Sequence, residues 1–524
     1  MNDAQAQRRR ELLILVCTSA PSFMLQLDAN IVSVSLPAIA RSLNASFAGI
    51  EWVITAYILS FASLLMPAGA LADRYGRKKL LMTGLSVFTF ASFLCGLAPS
   101  LSILVAARAL QGAGAAMQLS AALATLSHAF QGAARARAFA FWGTVVGIGM
   151  AAGPVVGGLI TQVFGWEWAF YVNLPIGVAL IALIVKVVED SRDPHTMRLD
   201  LPGVVCFGVG LFLTTLALIG GNARGWTDRQ IVGELAGALL FFILFVIVER
   251  REARPMLDLS FFRKPTFVGA NVAQLSFAAG VMTMQTFIPI FLQNGLGQSA
   301  GTAGLMMLPI GIPLFVVPRL VFRHLAHRWS GRALLTLGLG IVAVGLIWFT
   351  AVAPGLHYSA MVGAMVITGV GAGILNGETT KVNMMVIPKE RSGMASGLAG
   401  TVRFTGLVLG IAALGAVLYG RVAMTVAQAL PQTAAADRKA LVQAITAGHF
   451  DAAMPRGQDA AALKDLGVSS FASGYQWLFA AGAGFIVLAT ILTWILISAG
   501  ETPPIAAPAA KPTPRPLRDV PAEG

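Results

Sequence analysis

Long apolar runs alternate with short polar connections along most of the chain. A segment needs roughly 20 mostly apolar residues to cross the hydrocarbon core of a bilayer. Fourteen runs approach that length, near 12–36, 48–71, 80–98, 101–126, 139–163, 168–188, 201–220, 231–249, 267–292, 301–321, 333–353, 358–387, 396–420 and 475–498. The pattern predicts an all-α polytopic membrane protein. The first run is too long for a signal-peptide core and carries Asp28, so it reads as a retained helix.

Composition sharpens this. Of 524 residues, 56% are hydrophobic and 12% charged, and the mean hydropathy is +0.75. A soluble chain of this length could not hide so much apolar surface, which excludes a soluble enzyme. Cys17, Cys95 and Cys206 lie in apolar runs without paired spacing, so neither a disulfide scaffold nor a cysteine metal site is expected. The chain shows no metal cluster, nucleophile–base set or phosphate loop. No metal and no cofactor is expected.

The net charge of +13 is distributed by side. One set of connections holds Arg74, Arg77, Lys78 and Lys79; Arg135 and Arg137; Lys186, Arg192 and Arg198; Arg250, Arg251, Arg254, Arg263 and Lys264; Arg323, Arg328 and Arg332; Lys389 and Arg391. The opposite short loops hold only Arg41, Arg224 and Arg229. The positive-inside rule puts the first set in the cytoplasm. An even number of crossings then puts both termini there, in a cell inner membrane. The basic balance is a topology signal, and no nucleic-acid partner is expected.

The connection LADRYGRKK from Leu71 recurs in part as LAHRWSGR from Leu325. This faint duplication suggests two similar halves around a midplane site, a common transporter design. The expected organisation is an N-terminal six-helix bundle over 1–190, two additional helices over 191–262, and a C-terminal six-helix bundle over 263–500. The latter includes a polar, Ala-rich outer loop of mixed charge at 421–474, in which short amphipathic helices are an open alternative, and a Pro- and Ala-rich disordered tail occupies 501–524.

Ionisable groups inside a span are costly, from about 2.5 kcal/mol upward, and mark function by default. Asp28 lies in the polar stretch QLDANIVSVSLP. Gln26 and Asn30 share one helix face and Asp28 points the other way, so one face meets a cavity and the other the packed bundle. Arg108, Gln111 and Gln118 form a polar face on one run, with Gly112 and Gly114 admitting close neighbours. Glu378 has Lys381 three residues on, and Arg403 on the next run is a second candidate partner. Glu51 and Glu234 lie near span ends and read as interfacial. Gly149, Gly153 and Gly157 repeat every four residues and make a smooth face, bent at Pro154. That face suits either a seal between the halves or ordinary helix packing.

GALADRYGRKKLL, from Gly69 to Leu81, resembles the signature loop of the major facilitator superfamily, with Gly69, Asp73, Arg74, Gly76, Arg77 and Lys78 in place. The run around Arg108 resembles that family's helix 4 motif. GMAAGPVVGG, with Gly149, Gly153, Pro154, Gly157 and Gly158, resembles its antiporter signature. LDANIVSVSLP and WVITAYIL resemble motifs of the fourteen-helix drug:proton antiporters. The resemblance implies the major facilitator fold, two six-helix bundles plus two extra central helices. It also implies alternating access, with the Asp73 loop as a gate, and coupling of proton entry to export through Asp28, Arg108 and Glu378. Gln26, Asn30, Gln111, Gln118 and Arg403 are then expected along the substrate cavity. Met24, Met117, Met282, Met284, Trp52, Phe23 and Phe287 are further candidates to line it.

The expected activity is proton-coupled efflux of amphipathic drugs or toxic metabolites by a monomer. The expected partners are a small-molecule substrate, protons and the lipid bilayer; the sequence leaves open a periplasmic adaptor and an outer-membrane channel. A dedicated metabolite exporter and a proton symporter are alternatives within the fold. A membrane sensor or assembly subunit is a different class, against which the intact loop, Asp28 and Arg108 argue.

Overall fold

The computed structural model describes residues 3–130, 132–191, 200–252, 259–386, 392–448 and 460–504. Arg192, Arg198, Arg254, Lys389, Arg391 and the tail from 505 onward lie outside the described residues. The described chain is helical: α1 (Asp3–Ser42), α2 (Phe47–Tyr75), α3 (Arg77–Gly96), α4 (Leu101–Ala129), α5 (Gly132–Phe164), α6 (Trp168–Tyr171), α7 (Asn173–Val187), α8 (Leu201–Arg224) and α9 (Arg229–Arg251). It continues with α10 (Pro265–Ser276), α11 (Met284–Ile290), α12 (Ala300–Met306), α13 (Leu308–Leu320), α14 (Gly331–Val352), α15 (Tyr358–Val386), α16 (Ser392–Ala429), α17 (Ala435–Thr446) and α18 (Ala460–Leu496).

Twelve helices among the described residues are long and apolar enough to cross a membrane. Of the fourteen expected runs, α2 and α4 miss that standard although each has 29 residues. In α2 the stretch Gly49–Leu65 is apolar, with Glu51 as its charged residue, and in α4 Arg108, Gln111 and Gln118 dilute the apolar run. Among its described residues the segment 421–474, read as a polar, Ala-rich loop open to short amphipathic helices, is mostly helical, as its alanines favour. α16 runs on to Ala429, α17 follows, and α18 starts at Ala460. A wide-turn segment, Phe277–Met282, joins α10 to α11, and a second, Phe291–Gly295, extends α11, giving one crossing, Pro265–Gly295.

α1 packs along α5, and α4 packs along both α2 and α3; farther on, α14 packs on α15 and α18, and α13 on α15. α8 and α9 pair with each other, and α8 also touches α2 and α16. The two groups meet along α2 and α16, where Phe61 and Phe404 stand edge to face at 4.2 Å.

A second seam joins α5 to α12, on the side opposite the basic α2–α3 loop. A Cβ on Gly158 would stand 2.3 Å from the Ala300 carbonyl oxygen. Gln162 Oε1 accepts from Ser299 Oγ at 3.0 Å and from the Gly301 amide at 3.1 Å, and Gln293 Nε2 donates to the Val34 carbonyl at 2.7 Å. Toward the basic side the seam widens. A Cβ on Gly147 would lie 3.6 Å from Phe315, and one on Gly143 would meet nothing within 4 Å.

Glu51, near the start of α2, is buried between helices. It is 7% exposed, its Oε1 has no hydrogen-bond partner, and its carboxyl group packs against Gly415 of α16. The end of α2 that looks free in the sequence is covered by the second group of helices. Glu234 is equally buried; Gln230 Nε2 donates to it at 3.0 Å, and Arg224 pairs with it as an ion at 3.6 Å.

Candidate functional site

The glycines of α4 set the site. A Cβ on Gly112 would stand 2.1 Å from the Tyr57 carbonyl oxygen, and one on Gly114 would stand 2.6 Å from the Phe88 amide nitrogen. α2 and α3 therefore press on α4 backbone to backbone. This brings Arg108 and Gln111, three residues apart on one helix face, against α1.

Asp28 and Arg108 form an ion pair at 2.8 Å, with side chains 0% and 1% exposed. Arg108 Nη1 donates to Asp28 Oδ2 and, at 2.5 Å, to Gln111 Oε1; its Nε donates to the Val53 carbonyl at 3.1 Å. The guanidinium lies over the Tyr57 ring, 4.1 Å from its centroid. Asp28 Oδ1 accepts from Gln111 Nε2 at 3.0 Å and from Asn173 Nδ2 at 2.7 Å. Ser92 Oγ accepts from Gln111 at 2.8 Å and from Asn173 at 3.3 Å. Five helices, α1, α2, α3, α4 and α7, thus converge on one carboxyl group. Charges taken out of water need this density of partners, because each unmet hydrogen bond in a low-dielectric interior is expensive.

The expected site residues separate into groups. Asp28, Arg108 and Gln111 come together inside the first group of helices; Gln111, expected along a cavity, is fully buried in this cluster. Gln118 is also fully buried, and neither of its side-chain polar atoms has a partner. Gln26 and Asn30 face α5: a Cβ on Gly149 would stand 3.2 Å from Gln26 Cβ, and one on Gly153 would stand 2.4 Å from Asn30 Cβ. Gly157 meets Ile31 of α1 in the same way. The stripe Gly149–Gly153–Gly157 therefore serves packing on α1. Pro154 and Gly158, on another face, make the seam with α12, where a Cβ on Gly304 would stand 2.2 Å from the Pro154 carbonyl oxygen.

The second group of helices holds the remainder. Glu378 and Lys381 pair at 2.8 Å. Arg403 is not part of that pair; its Nη2 donates to Asn376 Oδ1 and its Nε points at Met282 Sδ, each at 3.3 Å. α15 is broken between these groups: Asn376 has ψ 101°, and Gly377 has φ 105° and ψ −40°. Glycine adopts that positive φ without steric cost.

In the α2–α3 loop, Gly76 has φ 108°, and a Cβ on it would stand 2.4 Å from Asp190 Oδ1. Lys78 Nζ donates to the Val185 carbonyl at 2.8 Å, and the Arg77 amide donates to the Ser191 carbonyl at 3.0 Å. The loop is docked on the end of α7. Arg74 is exposed over Tyr75, and a Cβ on Gly69 would meet nothing within 4 Å. The side chain of Asp73 lies outside the described residues.

Asn173, Ser92 and Tyr57 do not stand out in the sequence. Asn173, a single amide in the apolar stretch NLPIGVAL, is the one signal that could have drawn attention. Serine and tyrosine are too common in membrane helices to mark a site.

The family model described as Major Facilitator Superfamily matches residues 21–411. The chain is 38% identical over 411 residues to the multidrug resistance protein Stp of Mycobacterium tuberculosis (strain CDC 1551 / Oshkosh), covering 78% of this chain and 76% of that protein. It is 34% identical over 407 residues to the cephamycin export protein CmcT of Amycolatopsis lactamdurans, covering 77% and 83%. One similar solved structure is a bacterial homolog to the human lysosomal transporter Spinster, in an inward-facing and occupied conformation. The TM-score is 0.62 at 17% identity, over 93% of this chain and 97% of that one, a likeness of fold alone. This protein is a multi-pass membrane transporter and not an enzyme; the chain belongs to the major facilitator superfamily.

Proposed function

We propose that this protein is a proton-coupled antiporter that exports amphipathic drugs or toxic metabolites by alternating access. The observation that carries the reading is the sealed Asp28–Arg108 pair, on which five helices converge. A proton arriving on Asp28 removes the negative charge that holds Arg108, Gln111 and Asn173 in place. Loosening that hub lets α1 shift against α4, and α1 is also the helix that α5 grips. Loss of the proton on the other side re-forms the pair. The supply suffices for such work, since a charge crossing 100 mV is worth about 2.3 kcal/mol.

Export as the direction is supported by relatives named for multidrug resistance and cephamycin export. Membership of the fourteen-crossing branch is supported by α2 and α4, whose 29 residues would reach about 43 Å at 1.5 Å per residue. The basic loops, read as cytoplasmic, support both termini inside and an inward-facing arrangement, with the α5–α12 seam shut on the outer side and wider toward the inner. The docked α2–α3 loop would change partners when the inner side closes. Glu378 is assigned to coupling and Gln26 and Asn30 to the cavity wall beside α5.

The test is overproduction in a pump-deleted bacterial host, with growth measured against lipophilic cations, neutral drugs and organic acids. Wild type should protect against at least one class and Asp28→Asn should not, at equal membrane levels. Equal protection by both proteins would defeat the assignment of Asp28.

A further inference from the structure

Arg108 is fully buried and Arg403 half-buried, and the two are provided for very differently. Arg108 has a carboxylate, an amide oxygen, a backbone carbonyl and an aromatic face. Arg403 has two contacts to neutral acceptors, a long one to Asn376 Oδ1 and one to the weak acceptor Met282 Sδ, each at 3.3 Å, and the Phe277 ring 5.1 Å away. Among the described residues no carboxylate lies within ion-pair distance of it; the acid of α15, Glu378, is taken by Lys381. A guanidinium has five N–H donors and cannot shed its charge, so Arg403 carries, within an apolar helix, a charge that no described carboxylate balances.

Its surroundings suit a ligand. Gln274 is 0% exposed, and neither its Oε1 nor its Nε2 has a partner. It stands one turn before Phe277 on the same helix face. On the other flank α15 is broken at Asn376–Gly377, and a Cβ on Gly377 would meet nothing within 4 Å, so open space adjoins the break. Interrupted helices in transporters commonly frame substrate sites. Phe277 and Met282 add an aromatic and a polarisable apolar wall.

We infer that Arg403 anchors a negatively charged group on the exported solute, so that the site takes amphipathic organic anions: a carboxylate, phenolate or sulfonate on an aromatic or other apolar body. The inference rests on the export reading above and names its substrate class. The anion completes the donor set of Arg403, and the body of the solute lies toward Phe277 and Met282.

The test uses two dyes with one ring system and opposite charge, fluorescein and tetramethylrhodamine ethyl ester. Each is followed by counterflow into proteoliposomes preloaded with the same unlabelled dye, an exchange that needs no ion gradient. Wild type should exchange fluorescein. Arg403→Gln should raise its KM by about tenfold or more, the scale of one lost charge-assisted hydrogen bond. Arg403→Lys should recover part of that loss. Lys439→Gln, which removes an exposed charge on α17, should change nothing. Thermal melting of Arg403→Gln shows that it remains folded. An unchanged fluorescein KM in Arg403→Gln overturns the inference. Exchange of the cation but not of fluorescein by wild type also overturns it, while the export reading stands. Exchange of neither dye brings down both.

Discussion

Pro154 and Gly304 touch across the α5–α12 seam so closely that a single added methyl group would stand 2.2 Å from the proline carbonyl oxygen. Pro154 cannot donate a backbone hydrogen bond and Gly304 has no side chain, so the two helices meet backbone to backbone. Gly304→Ala should therefore resist closure of this seam by roughly 1–3 kcal/mol, the usual scale of overpacking. Transport should fall, and a disulfide engineered between positions 162 and 299 should form less readily than in the parent. Cross-linking and transport at parent levels would show that the seam has slack.

The Asp28–Arg108 pair predicts an asymmetric stability series. Arg108→Gln leaves a carboxylate without its cation and should cost roughly 3–5 kcal/mol, read as a lowered melting temperature of the purified protein. Asp28→Asn with Arg108→Gln removes both charges and should recover much of that loss. Arg108→Lys should recover little, because an ammonium cannot reach the Val53 carbonyl, Asp28 and Gln111 from one fixed fork. A double variant no more stable than Arg108→Gln would contradict this reading.

Asn173 ties the start of α7 to Asp28 and Ser92. Asn173→Leu should cost roughly 1–3 kcal/mol, since Asp28 Oδ1 loses a donor in a site water does not reach. Transport should fall with it. Asn173→Ser, too short to span the same distance, should behave nearly as badly. A leucine variant with unaltered melting and transport would remove Asn173 from the site.

Glu378 and Lys381 offer a test of role by exchange. Their side chains are 11% and 26% exposed, and the pair lies on one helix face just past the break in α15. If the pair only steadies that half-helix, Glu378→Lys with Lys381→Glu should restore transport lost in Glu378→Lys. As a coupling acid, Glu378 should be intolerant of the exchange, which is the result expected from the coupling assignment.

Legibility in the sequence followed the physical origin of each feature. The crossings announced themselves because a bilayer demands length and apolarity from each helix alone. The opposed faces of α1 were also readable: helix periodicity put Asp28 away from Gln26 and Asn30, and the structure has Asp28 in the hub and the other two beside α5. Periodicity could not say that Asn173 and Ser92 complete the hub, because that depends on which helices become neighbours. Glu51 shows the same limit: only the covering by α16 reveals that it is buried. The break at Asn376–Gly377 had a local signal, the turn-favouring Asn-Gly pair at the head of the polar stretch NGETTK, which was read only for its charges. In the Ala-rich segment after residue 420 short helices were an option on composition, but that α16 runs on to Ala429 and α18 starts at Ala460 depends on packing that composition does not carry.

The most direct measurement is solute movement in proteoliposomes across an imposed pH difference, wild type beside Asp28→Asn. Wild type should drive solute uptake into vesicles that are acidic inside, and the flux should collapse when the gradient is dissipated. The variant should stay folded and lose the response to pH. Gradient-driven flux that persists undiminished in Asp28→Asn, or wild-type flux that ignores the gradient, would contradict the proton-coupled account.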